Sequence, residues 1–144
     1  DVNVMVEAMT EGGFKKRGVV FLPHDAMGED PVILKNARDY AGKIEFLEPQ
    51  ASYAVGDFVF QTSPALKHPC QTYGLKFRLN GRSVSLLSDT RYFPGLKDFY
   101  STDIVIMAVV FVEPRQGIDH LSLKEAQQLA CEQKNHHVVH RERA

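Results

Sequence analysis

The sequence lacks tryptophan, contains only two cysteines and has no excess of either charge. With 17 Lys and Arg against 18 Asp and Glu, its formal net charge is −1, which argues against broad binding to a polyanion such as nucleic acid. Cys70 and Cys131 form no Cys-x-x-Cys motif, so neither a disulfide framework nor a zinc ribbon is indicated. Reduced thiols are typical of the cytoplasm, which is the compartment we expect.

Long apolar runs are also missing. The longest, Ile104 to Val112, has nine residues, whereas a helix needs roughly 20 to span a bilayer, so we expect no membrane partner. The first residue is Asp, and no basic segment of a secretory signal follows it. We expect residues 1–144 to form a single domain that has been trimmed from a longer protein.

Several common catalytic motifs are absent. The chain contains no Gly-x-Ser-x-Gly, no His-Glu-x-x-His and no phosphate-binding Gly-x-x-x-x-Gly-Lys-Ser/Thr sequence. The serine hydrolase, zincin and P-loop classes therefore have no support.

Apolar periodicity predicts strands that alternate with helices. Alternating apolar residues predict a strand at Val2 to Val6. Asp30-Pro31 predicts the start of a helix that runs to about Ala41 and is ended by Gly42. Further strands are predicted at Gly18 to Leu22, Ile44 to Leu47, Phe58 to Phe60 and Ile104 to Val112.

Two local signals are more specific. Asn80-Gly81 lies between two strand-like runs and predicts a β-hairpin, because both turn residues tolerate positive φ. Ser122 and Glu125 match a capping box at the start of a helix, and His137 to His140 is predicted to be the final strand. This order favours an α/β domain of layered α+β type, with helices outside its sheets.

Polar residues at strand ends are the candidates for chemistry, because a strand end holds a side chain rigidly and leaves its tip accessible. Asp89 follows such a strand; its two oxygens could bridge two divalent cations, or it could cap the turn before Arg91. His68 lies in a loop between two prolines, where its imidazole could bind a metal or face solvent.

Two more histidines complete the set of candidates. His120 precedes the capping box and is a candidate general acid, which the adjacent Asp119 would orient; a solvated loop pair is the alternative. His140 ends the last predicted strand and is a further candidate metal ligand.

The order and spacing of these residues resemble the metallo-β-lactamase superfamily. The matching segments are His68, Leu87-Ser88-Asp89-Thr90, Asp119-His120-Leu121-Ser122 and Val138-Val139-His140, which together span about half of the chain. The ribonuclease Z and cyclic phosphodiesterase branch is the most similar, because it has a comparable histidine segment before its last helix. The resemblance implies an αββα sandwich with metal ions at the edges of its sheets.

The resemblance also implies roles for these residues. His68 would bind a first metal ion, His140 would bind a second, and Asp89 would bridge the two. Two divalent ions, either zinc or else manganese or iron, would activate water for the hydrolysis of a small-molecule or nucleotide phosphodiester. His120 would protonate the leaving group, and Arg91 would contact an anionic substrate or form a surface ion pair.

One motif of the superfamily, His-x-His-x-Asp-His, supplies most of its other metal ligands and is absent from the 144 residues. We therefore expect the chain to be the C-terminal part of a metal-dependent hydrolase and to be inactive by itself. The alternative is a non-catalytic, metal-free binding or assembly module built on part of the same fold. Both interpretations are compatible with a homodimer.

Overall fold

The computed structural model describes residues 2–131 and 137–139. The chain divides into two compact units, Asp1–Glu48 and Pro49–Ala144. Both units contain helices and strands, and the large sheet mixes parallel with antiparallel pairs, so the predicted α+β class is confirmed. In the described part of the chain, none of the helices is long and apolar enough to cross a membrane.

The first unit contains a two-stranded parallel sheet in which Val20 lies opposite Ile44. In chain order its elements are α1 (Val2–Thr10), β1 (Arg17–Leu22), a 3₁₀ helix (His24–Met27), α2 (Lys35–Arg38) and β2 (Ala41–Phe46). Small and branched apolar side chains fill its core: Val6, Val20, Leu22, Ala26, Ile33, Ala37 and Ala41.

The N-terminal segment is a helix, so the strand predicted from Val2 to Val6 is wrong. Val2, Val6 and Met9 recur at intervals of four and three residues, and all three pack in the core of the first unit. Val4, which the alternating pattern would also bury, is 62% exposed. Five residues of alternation fit either structure, and the longer apolar stripe decides in favour of the helix.

The helix predicted from Pro31 to Ala41 is also wrong in extent, because α2 covers only Lys35–Arg38. Asn3 accepts a backbone N–H at 2.9 Å and donates to a backbone oxygen at 3.1 Å in the segment before α2, which holds that segment out of the helix. Gly42 does not end a helix but lies in β2. A Cβ there would lie 3.0 Å from the backbone oxygen of Gly18, which is tighter than most Cβ contacts, so the close approach of the two strands favours glycine.

The second unit is built on a six-stranded sheet. Its strands are β3 (Ser52–Val55), β4 (Phe58–Thr62), β5 (Leu75–Leu79), β6 (Arg82–Leu87), β7 (Ile104–Met107) and β10 (His137–Val139). The remaining elements are the helices α3 (Leu96–Tyr100) and α4 (Leu123–Cys131) and the parallel pair β8 (Val109–Phe111) and β9 (Leu121–Ser122). The order across the large sheet is β10-β7-β6-β5-β4-β3; the first three strands are parallel and the others pair antiparallel.

The predicted hairpin is confirmed, and the long apolar run is divided between two sheets. Asn80 and Gly81 have φ values of 49° and 78°, and they join the antiparallel strands β5 and β6. The single strand predicted at Ile104 to Val112 is wrong, because the run forms β7 in the large sheet and then β8 in the small one. Between them, the N–H of Ala108 donates to the backbone oxygen of Leu87 at 2.9 Å.

The core of the second unit joins the large sheet to its two helices. It consists of Leu66, Leu87, Leu96, Tyr100, Val105, Met107, Leu121, Ala126 and Leu129. Because these residues come from β6, β7, β9, α3, α4 and the loop after β4, the core fixes the ends of the parallel strands, that loop and the start of the last helix. The candidate functional residues emerge from these positions.

Candidate metal and catalytic site

The topology brings two candidate residues to one edge of the large sheet. Strands β6 and β7 run parallel with Leu87 opposite Met107, and Asp89 follows the end of β6. Strand β8 begins just after β7 and pairs with β9, and His120 lies directly before β9. Asp89 and His120, which are distant in the sequence, therefore meet at the carboxyl ends of the parallel strands.

Asp89 and His120 are in direct contact. Nδ1 of His120 lies 3.3 Å from Oδ1 of Asp89, and the side chains are 31% and 46% exposed, histidine first. Nδ1 itself is buried and makes no hydrogen bond within the part of the chain that the structure describes. The contact is therefore an ion pair when the imidazole is protonated, and not an aligned hydrogen bond. The side chains of His120 and Asp89 therefore form one contact at this edge of the sheet.

Asp119 does not orient His120, so this prediction is wrong. Oδ1 of Asp119 instead lies 3.6 Å from Nε of Arg91, whose side chain is 59% exposed. Successive side chains of a segment that enters a strand point to opposite sides, so the sequence neighbour of His120 is not its spatial neighbour. Asp89 occupies the position that Asp119 was expected to fill.

His68 joins the same group from the loop after β4. Its ring centre lies 5.9 Å from that of His120, in an edge-to-face arrangement. Its Nδ1 accepts the backbone N–H of Cys70 at 3.3 Å and lies 3.4 Å from Oγ1 of Thr72. With Nδ1 accepting the N–H of Cys70, the neutral ring carries its proton on Nε2, so metal binding through Nε2 requires that this proton lie on Nδ1 instead. The N–H of Leu66 donates to the backbone oxygen of Thr72 at 2.9 Å and closes this loop.

Thr90 connects the His68 loop to the strand end that carries Asp89. Its side chain is buried, and Oγ1 accepts the backbone N–H of Lys67 at 3.0 Å and donates to the backbone oxygen of Arg91 at 2.9 Å. The sequence shows Thr90 beside Asp89, but nothing in it indicates that the hydroxyl binds a loop more than 20 residues away.

Phe111 borders His120 and Arg115 packs on Phe111, and neither residue was predicted. The ring centre of Phe111 lies 6.5 Å from that of His120, and the guanidinium carbon of Arg115 lies 4.4 Å from the centre of the Phe111 ring. A guanidinium group is attracted to the face of an aromatic ring, so Arg115 is held on Phe111, the ring that lies next to His120. Neither residue belongs to a motif that could have identified it.

The predicted capping box fixes the backbone that follows His120. The N–H and Oγ of Ser122 donate to Oε2 of Glu125 at 2.9 and 2.7 Å, and the N–H of Glu125 donates back to Oγ of Ser122 at 3.3 Å. Leu121 is buried in the core on the other side of this turn. His120 is therefore attached to a rigid start of α4.

The donors present fit part of a metal site. His68 and Asp89 offer an imidazole and a carboxylate, which suit zinc, iron or manganese. In residues 2–131 and 137–139, no group of three His, Cys, Asp or Glu side chains is arranged to hold a metal ion. His140, the third predicted ligand, lies outside the described residues.

Comparison with known proteins shows similarity at the level of structure. No model of a protein family and no curated protein sequence matches the chain. The metallo-β-lactamase fold protein YhfI from Bacillus subtilis matches with a TM-score of 0.73 and 19% identity, over 94% of this chain and 56% of that one. A diphosphatase of the PhnP family matches with a TM-score of 0.64 and 16% identity, over 94% and 52%. The short form of human tRNase Z matches with a TM-score of 0.60 and 14% identity, over 99% and 67%.

The chain spans little more than half the length of the first two of these proteins. At such low identities the similarity establishes the fold, while activity has to be argued from the site itself. The resemblance inferred from the order of His68, Asp89 and His120 is confirmed at this level. The chain has the metallo-β-lactamase fold.

Proposed function

We propose that the chain is the C-terminal part of a metal-dependent hydrolase of the metallo-β-lactamase superfamily that cleaves phosphodiesters. The observation that carries the proposal is the convergence of His68, Asp89 and His120 at one edge of the sheet. Two proteins of similar structure are a diphosphatase and a tRNase, which favours a phosphate ester or anhydride as the substrate class.

His68 and Asp89 would hold divalent metal ions, with Asp89 as the bridging ligand, and His140 would add a further ligand. Zinc is the expected metal, with manganese and iron as alternatives. When bound, two such ions activate water as a nucleophile and stabilise the charge that develops on the substrate. The remaining ligands would come from a His-x-His-x-Asp-His segment outside the 144 residues, so the chain by itself would be inactive.

His120 would donate a proton to the leaving group. Its ring lies beside both His68 and Asp89, so a leaving-group oxygen released next to these two side chains comes within its reach. Arg91 lies near the same edge and would exchange its partner Asp119 for a substrate phosphate, because its guanidinium is largely exposed.

The rate of hydrolysis of two aryl phosphodiesters, one with a good and one with a poor leaving group, tests this assignment in the full-length protein. We expect His120→Ala to slow the poor leaving group by about 10²–10⁴-fold and the good one far less, because only the former needs protonation. His24 is a matched control, since it is an exposed histidine that pairs with Glu48 at 2.8 Å in the first unit. His24→Ala should preserve both rates, and equal losses for both substrates in His120→Ala would contradict the role.

A non-catalytic, metal-free binding or assembly module, either alone or as a homodimer, is the second candidate. One observation favours it: within the described residues, no group of three His, Cys, Asp or Glu side chains is arranged to hold a metal ion. This candidate predicts no stoichiometric metal and no change in stability when His68 and Asp89 are both replaced by Ala. Metal that the parent protein retains and the Asp89→Ala variant loses would rule it out.

A further inference from the structure

Thr90 is a buried hydroxyl that the proposed reaction does not use. Its side chain is 0% exposed, and a polar group so deeply buried is costly unless it is hydrogen-bonded. The hydrogen bonds of Oγ1 are to the backbone of Lys67, which directly precedes His68, and of Arg91, which lies two residues after Asp89.

We propose that Thr90 is a positioning residue that sets the position of His68 relative to Asp89. Oγ1 accepts the N–H of Lys67 at 3.0 Å and donates to the oxygen of Arg91 at 2.9 Å. The hydroxyl of Thr90, the residue after Asp89, is thereby joined to the backbone of Lys67, the residue before His68, and is oriented by its own segment through Arg91, two residues after Asp89.

The other contacts of His68 cannot supply this link. Its Nδ1 interacts with Cys70 and Thr72, which belong to the same loop, so these contacts fix the ring within the loop but not the loop against the strand end. A second hydrogen bond does connect the segments, from the N–H of Arg91 to the oxygen of Lys67 at 3.2 Å. One hydrogen bond allows the loop to pivot, whereas two bonds at different atoms of Lys67 fix its orientation.

The inference rests on the proposed function only in treating His68 and Asp89 as metal ligands. Groups that orient metal ligands typically change metal affinity or activity by about 10–100-fold when they are replaced. The geometric role of Thr90 can be measured without metal, so the two proposals are tested separately.

The experiment is nuclear magnetic resonance of the metal-free full-length protein with labelled histidines. At 5.9 Å between ring centres, His68 and His120 are close enough for a nuclear Overhauser effect between their ring protons. We expect Thr90→Val to abolish this effect and to speed amide exchange at Lys67 by about fivefold, because the lost hydrogen bond is worth about 1 kcal/mol. Thr90→Ser retains the hydroxyl and should restore both signals.

Thr62 provides a matched control. It is also 0% exposed, and its Oγ1 accepts the N–H of Ala51 at 2.9 Å, so Thr62→Val loses the same kind of bond between other segments. The contact between His68 and His120 should survive in this variant. Because Thr90→Val removes a buried hydrogen-bonding group and could unfold the chain, we add Thr90→Cys as a second variant. The cysteine side chain has a similar volume but is a weaker hydrogen-bond acceptor, so this variant should also speed amide exchange at Lys67.

Either of two results would overturn the inference. One is a ring contact and a Lys67 exchange rate that Thr90→Val and Thr90→Cys leave unchanged. The other is equal loss of the contact in Thr62→Val, which would indicate general destabilisation. A protein that shows the ring contact, loses it in Thr90→Val and yet binds no zinc, manganese or iron would support the positioning role and refute the proposed function.

Discussion

The capping box of Ser122 and Glu125 follows His120 directly in the chain, and its contribution to the free energy of unfolding can be worked out from its hydrogen bonds. Ser122 is 1% exposed, and its Oγ lies 2.7 Å from Oε2 of Glu125. Ser122→Ala removes this bond and the one from the N–H of Glu125, at 3.3 Å. Loss of a serine N-cap costs about 1 kcal/mol, and a hydrogen bond to a charged group is worth about 1.5–3 kcal/mol. Because the N–H of Ser122 keeps its bond to Glu125, we expect the free energy of unfolding to fall by about 1.5–2 kcal/mol.

Urea denaturation followed by circular dichroism measures this loss in Ser122→Ala, Glu125→Ala and the double variant. Because the two side chains bind each other, the double variant should lose about 1 kcal/mol less than the sum of the single variants. Lys124→Ala on the same helix is the control; its side chain and that of its partner Glu113 are 71% and 70% exposed, so solvent screens the pair and the cost should stay within about 0.5 kcal/mol. Additive losses, or a loss below about 0.3 kcal/mol in Ser122→Ala, would refute the calculation.

Two further changes test the core of the second unit by the same assay. Burial raises the pKa of Tyr100 from 10.0 to about 12; because the folded chain favours the neutral phenol, this stabilisation is complete below pH 10 and is lost as the pH rises to 12. Between pH 10 and pH 12, the unfolding free energy of the parent should therefore fall by up to about 1.4 kcal/mol per pH unit relative to that of Tyr100→Phe. If the two unfolding free energies instead change in parallel with pH, the raised pKa of Tyr100 is contradicted. Leu121→Ala, at a residue 0% exposed, should cost about 2–5 kcal/mol. Leu79→Ala, at a residue 56% exposed, should cost far less, and equal costs would show that Leu121 does not fill the core.

Features decided by a few neighbouring residues were predicted correctly. Asn80 and Gly81 form the hairpin turn with positive φ, and Ser122 and Glu125 form the reciprocal bonds of the capping box. In both cases the residues that determine the structure lie within four positions of one another, so local sequence contains the necessary information.

Features that depend on distant segments were predicted less well. The run from Ile104 to Val112 changes sheets because Val109 pairs with Leu121, and this pairing leaves no trace in the apolar pattern itself. Gly42 was interpreted as a helix end, but its role comes from the backbone of Gly18 on the neighbouring strand. Periodicity describes which face of an element is apolar and not which element will cover it.

In the candidate site too, the features set by nearby residues could be predicted and those set by distant segments could not. His68, Asp89 and His120 could be identified because each stands at a recognisable place relative to a strand or a helix, and the structure brings them together. The partner of His120 and the role of Thr90 could not, because they depend on side-chain direction and on where a loop meets a strand end. The assignment of His68 and Asp89 as metal ligands stays a prediction.

Metal content tests the central claim most directly. Elemental analysis of the purified full-length protein should find zinc, manganese or iron in stoichiometric amounts in the parent and in His24→Ala, whose exposed histidine pairs with Glu48 and is not a proposed ligand. His68→Ala and Asp89→Ala should lose metal, because each removes a proposed ligand. A parent protein without stoichiometric metal, or equal metal content in all four proteins, would contradict the proposal that this edge of the sheet is a metal-dependent hydrolytic site.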